Sequence, residues 1–128
     1  MKTLAKAAPI GLVVAGIINL LPTPGAVGAN WLRSLYGFEI AGPDLEILLR
    51  HRAVLFGVVG VLLLAAALRP RLRGVAVLVA GASMASFIVI AFLVGGYGPA
   101  ITRVVIADVI GLLALVPAAL APASRTLG

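Results

Sequence analysis

Four long runs of apolar residues divide the chain, each bounded by prolines, glycines or charges. The first covers about residues 4–21, follows Lys2, contains Lys6, and is closed by Pro22-Thr23-Pro24-Gly25. The second, about 44–68, opens behind Gly42-Pro43, where Pro43 fits a first helical turn and Asp44 and Glu46 suit the positive end of a helix dipole. It stops at Arg69-Pro70. The third, about 75–94, ends at Gly95-Gly96-Tyr97-Gly98-Pro99, and the fourth, about 100–120, ends near Pro122. Pro117 inside the fourth predicts a kink or an early end, because an interior proline removes one hydrogen bond and crowds the preceding turn. Roughly 20 apolar residues in helical form cross a hydrocarbon layer of about 30 Å, so each run is read as a transmembrane helix.

The connector at residues 26–42 is longer than a turn requires. In it Val27, Trp31, Leu32, Leu35 and Tyr36 recur at three- and four-residue spacings, with Asn30, Arg33 and Ser34 between them. This spacing predicts a short interfacial helical segment with Trp31 and Tyr36 at headgroup depth; the alternative is a loop whose aromatics cap the bundle. The expected fold is all-α: a single integral membrane domain over residues 1–128, a four-transmembrane-helix bundle with a half-helix between the first and second spans. Gly57 and Gly60 of the second span and Gly81, Ala82, Ser83, Ala85 and Ser86 of the third are read as helix-packing residues.

Composition sharpens this picture. Of 128 residues 62% are hydrophobic and 11% charged, too few charges to cover a soluble exterior. The net charge of +6 would suit nucleic acid, but the basic residues are scattered at segment ends and form no basic face. They read instead as orientation charges. If the spans alternate, Lys2, Lys6, Arg69, Arg71, Arg73 and Arg125 share one side. The other holds Arg33, Arg50, Arg52 and Arg103 with all four acids, Glu39, Asp44, Glu46 and Asp108. The positive-inside tendency then predicts a multi-pass protein of a bacterial cytoplasmic (inner) membrane with both termini cytoplasmic. A competing expectation is a signal peptide cleaved near Val27 or Ala29, which would leave three spans.

One polar region stands out. Asp108 lies about 12 Å along the fourth span from Ala100, inside the outer leaflet. An ionised carboxylate there costs roughly 2.5–3.5 kcal/mol, so it must be neutral or face a partner. Arg103, Arg50 and His51 are the cations at suitable depth, Glu46 pairs with Arg50 at i, i+4, and Asn19 reaches a comparable level from the first span. These six residues form the candidate ligand-binding or structural polar cluster, with Asp108 and His51 as catalytic candidates. Each also has a structural reading: Asp108 as half of an ion pair, His51 as a helix-surface residue, Asn19 as an interhelical hydrogen bond, Arg50 as a lipid-phosphate contact. One histidine and four scattered acids supply no recognisable metal site, the glycines at 95–98 lack the context of a phosphate loop, and no cofactor is expected.

The order of features resembles a family. Prolines closing the first span, Leu35-Tyr36-Gly37-Phe38, the helix start at Asp44, Arg50-His51-Arg52-Ala53-Val54-Leu55-Phe56-Gly57, and Arg103-Val104-Val105-Ile106-Ala107-Asp108 resemble the small DoxX-like four-helix membrane proteins, in their largely uncharacterised bacterial branch. The likeness covers roughly residues 8–120. It implies a four-helix membrane fold and membership of a group linked to membrane-associated oxidoreductase or stress-related complexes, but carries over no catalytic residue. The leading functional expectation is an accessory membrane subunit that binds a membrane protein partner or a hydrophobic small molecule. The alternatives are a compact intramembrane enzyme acting on an isoprenoid, steroid or quinone-like substrate, with Asp108 as acid–base group and Asn19 orienting a substrate oxygen, and a homo-oligomeric pore.

Overall fold

A computed structural model describes residues 2–37 and 39–121. Phe38, Pro122 and Arg125, which entered the sequence reading, lie outside them. The described residues are helical, in the order α1 (Lys2–Leu20), a 3-10 turn (Thr23–Ala26), α2 (Ala29–Tyr36), α3 (Gly42–Leu68), a 3-10 turn (Pro70–Leu72), α4 (Arg73–Val94) and α5 (Pro99–Leu120). Four stretches are long and apolar enough to cross a membrane, the make-up of a multi-pass membrane protein.

The punctuation in the sequence sets most boundaries. Pro43 and Pro99 enter α3 and α5 in the first turn, where the missing N–H has no helical partner to lose. Gly37, at φ 71°, ends α2 in a left-handed conformation and donates its N–H to the Arg33 carbonyl at 2.8 Å. Pro117 neither ends α5 early nor stops it: the helix runs on to Leu120, and Ala121 donates to the Pro117 carbonyl at 2.8 Å. The proline sits in the last turn, where only one helical hydrogen bond is forfeited.

α1 packs against α3 and α5, and α4 packs against the same two, so α1 and α4 occupy opposite corners. Small side chains make the seams. On α1 the buried residues Ala8, Gly11, Leu12, Ala15, Gly16 and Asn19 follow the three-and-four spacing of one helical face. A methyl group on Gly11 would collide with the Ala114 carbonyl of α5. One on Gly60 of α3 would lie 3.0 Å from the Gly16 carbonyl of α1, and one on Gly16 would lie 3.3 Å from the Gly60 carbonyl. Large apolar side chains point outward instead, among them Leu78, Phe92 and Leu93 on α4. Small residues at the helix seams, with a few large ones such as Leu12, Leu63 and Met84 filling the core, suit a setting where lipid offers no hydrophobic drive for helix association and van der Waals contact must supply it.

The expected packing role is met by Gly57 and Gly60 but not by Gly81, Ala82 and Ser86 of α4. Space around Gly81 is open, Ala82 is exposed, and the exposed Ser86 hydroxyl donates to the Ser83 carbonyl of its own helix at 3.0 Å. Five small residues within six positions wrap most of the helix circumference, so they cannot all face one partner. The inward face of α4 is Ala76, Ala80, Met84 and Ala91.

Candidate functional site

α2 folds back over one end of the bundle. Its Leu32 and Tyr36 are buried, whereas Trp31 and Val27 are exposed, so only part of the apolar stripe read from the sequence turns inward. Three ties hold the half-helix. Leu32 fills the notch at Gly25, Trp31 Nε1 donates to the Leu21 carbonyl at 3.0 Å, and the Tyr36 hydroxyl accepts from Arg52 Nε at 3.2 Å.

Beneath α2 lies a cavity of about 220 Å³. Ile18 and Asn19 of α1, Leu21 and Pro22 after it, Ser34, Leu35 and Tyr36 of α2, Phe56 of α3, and Ala100, Arg103, Val104, Ala107 and Asp108 of α5 line it. The walls are mainly apolar. Tyr36, Ala100 and Arg103 also border a neighbouring surface groove formed with Gly37, Gly98, Pro99 and Ile101, so they stand between cavity and exterior.

Two polar side chains of the lining are almost fully buried: Asn19 is 2% exposed and Asp108 4%. The Asn19 amide nitrogen donates to the Ala15 carbonyl one turn back at 2.9 Å and to Met84 Sδ of α4 at 3.8 Å. With both N–H groups engaged, Oδ1 has no hydrogen-bond partner among the described residues. Asp108 Oδ2 is likewise buried without one. Met84 connects the two sites, since its sulfur takes the Asn19 hydrogen bond and lies against Gly111, one turn along α5 from Asp108. A buried polar atom without a partner costs about 1–3 kcal/mol, and two in one lining mark a place where something else is to be accommodated.

The cations divide differently from the sequence expectation. Arg103 lines the cavity from an exposed position at its mouth. Arg50 is spent elsewhere: its Nε donates to the Ala26 carbonyl at 3.0 Å and its guanidinium lies 4.0 Å from Glu46, tying the start of α3 to the connector. Glu46 thus belongs to that surface pair. His51 is exposed and does not line the cavity. The ion pairs among the described residues are Arg33–Glu39 at 3.7 Å and Glu46–Arg50, so Asp108 is not half of a salt bridge.

Arg52, which the sequence reading left out of the cluster, is the inward cation. Its guanidinium carbon lies 4.8 Å from the Phe56 ring centroid and 4.7 Å from that of Phe87. Phe56 stands at i+4 from Arg52, and that spacing was the available signal. Asn19 also differs in detail from its expected role. It has no free donor with which to orient a substrate oxygen; what it leaves open is an acceptor.

The arrangement can hold a molecule with an apolar body against Leu21, Leu35, Phe56 and Val104 and a polar group against Asn19 and Asp108. No family model, curated protein or solved structure matches the chain.

Proposed function

We propose that this is a multi-pass membrane protein that binds a small amphiphile between α1, α2, α3 and α5, acting as an accessory or carrier subunit. The observation that carries the reading is an apolar cavity of about 220 Å³ whose lining includes two buried, unpartnered acceptors, Asn19 Oδ1 and Asp108 Oδ2. Apolar walls with a few convergent polar groups are the usual composition of a small-molecule site. The DoxX-like resemblance belongs to the same proposal and rests on the sequence motifs that contain Arg52 and Asp108.

In this reading α2 lies in the outer interface, with exposed Val27 and Trp31 toward the headgroups, and the Pro70–Leu72 turn faces the cytoplasm with its flanking arginines. An enzymatic role rests on the same Asp108 carboxyl. It has no imidazole or second carboxylate in the lining to complete a proton relay, so binding without conversion is the primary reading.

The test is photocrosslinking of the protein in lipid nanodiscs with a diazirine-bearing medium-chain alcohol, followed by peptide mapping. Label on Leu35 or Val104 that disappears in Ala107→Phe, which fills the cavity, is the expected result. Equal labelling of wild type and variant, or label confined to the lipid-facing Phe92 and Leu93, would remove the proposal.

A further inference from the structure

The atoms the cavity leaves unpartnered specify the polarity of the group it takes. Asn19 commits both amide hydrogens, one to Ala15 and one to Met84 Sδ, which fixes its carbonyl oxygen as the free end. The reversed amide would set that oxygen against the Ala15 carbonyl, acceptor to acceptor, and against a thioether sulfur that cannot donate. Asp108 adds a second buried, unpartnered oxygen one helical turn from the Met84–Gly111 contact, an acceptor when the carboxyl is ionised. Of the other polar side chains of the lining, Tyr36 and Arg103 stand at the border with the outer groove and Ser34 is exposed on α2, and the Tyr36 hydroxyl accepts from Arg52. The cavity is therefore acceptor-rich at its buried end and donor-rich at its mouth.

From this polarity we infer that the site selects amphiphiles whose inner polar group donates hydrogen bonds, a hydroxyl or an ammonium, over those presenting only a carbonyl or ether oxygen. A hydroxyl gives its one hydrogen to Asn19 Oδ1 and can accept from a neutral Asp108 carboxyl; an ammonium donates to Asn19 Oδ1 and adds charge attraction when that carboxyl is ionised. A ketone or quinone oxygen entering the same end would stand acceptor to acceptor against Asn19 Oδ1 and leave it unpaired, whichever protonation state Asp108 holds. The inference rests on the amphiphile-binding reading above and goes beyond it by naming the head-group chemistry.

The experiment is competition against the diazirine alcohol in nanodiscs, using four unlabelled compounds with one decyl chain: the alcohol, the primary amine, the methyl ether and the methyl ketone. Each is compared at equal measured mole fraction in the bilayer, so partitioning cancels. The alcohol and amine are expected to halve cavity labelling at roughly three- to tenfold lower mole fraction than the ether and ketone, the range of one or two hydrogen bonds in a membrane interior. Asn19→Leu should shrink that ratio, and Asp108→Asn, which replaces an acceptor oxygen by an amide that can donate, should shift it toward the ketone. Equal competition by all four compounds, with labelling still abolished in Ala107→Phe, would overturn the head-group inference and leave the binding site standing. Labelling insensitive to Ala107→Phe would overturn both.

Discussion

Asn19 of α1 and Met84 of α4 meet through an N–H···S hydrogen bond of 3.8 Å, linking two helices at opposite corners of the bundle that share no principal seam. The bond is weak on its own, and Asn19 also buries an unpartnered carbonyl oxygen. Loss of the bond and removal of that oxygen therefore act in opposite directions in Asn19→Leu. Its stability should stay within about 1 kcal/mol of wild type, given an average of about 0.6 kcal/mol for interhelical hydrogen bonds in membranes. Asn19→Ala removes side-chain volume as well and should cost about 1–3 kcal/mol more. Reversible unfolding in mixed micelles with increasing SDS measures both. A cost above 3 kcal/mol for the leucine variant would mean that the amide is a structural keystone.

The glycines of α1 and α4 should separate sharply. Gly11→Ala must force α1 and α5 apart and is expected to cost about 1–3 kcal/mol through overpacking. Gly81→Ala enters open space on a helix and should be neutral or stabilising by up to about 1 kcal/mol. The same SDS titration ranks the pair, and the opposite order would contradict the helix arrangement.

Arg52 and Arg50 are two residues apart and should respond unequally. Arg52→Lys keeps the charge but loses the planar group between Phe56 and Phe87 and the Nε bond to Tyr36, for an expected cost of about 1–2 kcal/mol and weaker photolabelling of the cavity. Arg50→Gln relaxes a surface pair in which both side chains remain more than a third exposed, and should change stability by no more than about 1 kcal/mol.

The absence of cysteine makes orientation directly measurable. Arg71→Cys and Val27→Cys place single thiols in the turn between α3 and α4 and before α2, at opposite ends of α3. In intact spheroplasts an impermeant maleimide should label the second and not the first, and in inverted vesicles the pattern should reverse. Labelling of Arg71→Cys from outside would invert the proposed topology.

Much of this architecture was legible in the chain. Prolines and glycines mark the helix ends, the three-and-four spacing of Trp31, Leu32, Leu35 and Tyr36 locates α2, and counting rise per residue puts Asn19 and Asp108 at one level. What a count along the axis does not supply is rotation about it. Successive residues turn by about 100°, so Arg50, His51 and Arg52 have nearly the same depth but face different directions. Depth alone does not separate the three, and the inward face is decided by packing against Tyr36 and Phe87, which are remote in sequence. The same ambiguity affects the small residues of α4, whose dense run conceals which of them meets a neighbour. Gly11 and Gly16 were less visible still, because a glycine in an apolar run acquires meaning only from the backbone opposite.

Three of the cavity's lining residues belong to α2, and the other walls come from α1, the residues just after it, α3 and α5, which pack mainly on one another and on α4. The chamber is complete only while that eight-residue segment is docked. If the proposed amphiphile binds there, occupancy and docking are thermodynamically linked: the guest is expected to slow amide exchange along residues 29–36, and a substitution that loosens the half-helix to lower affinity without touching the guest.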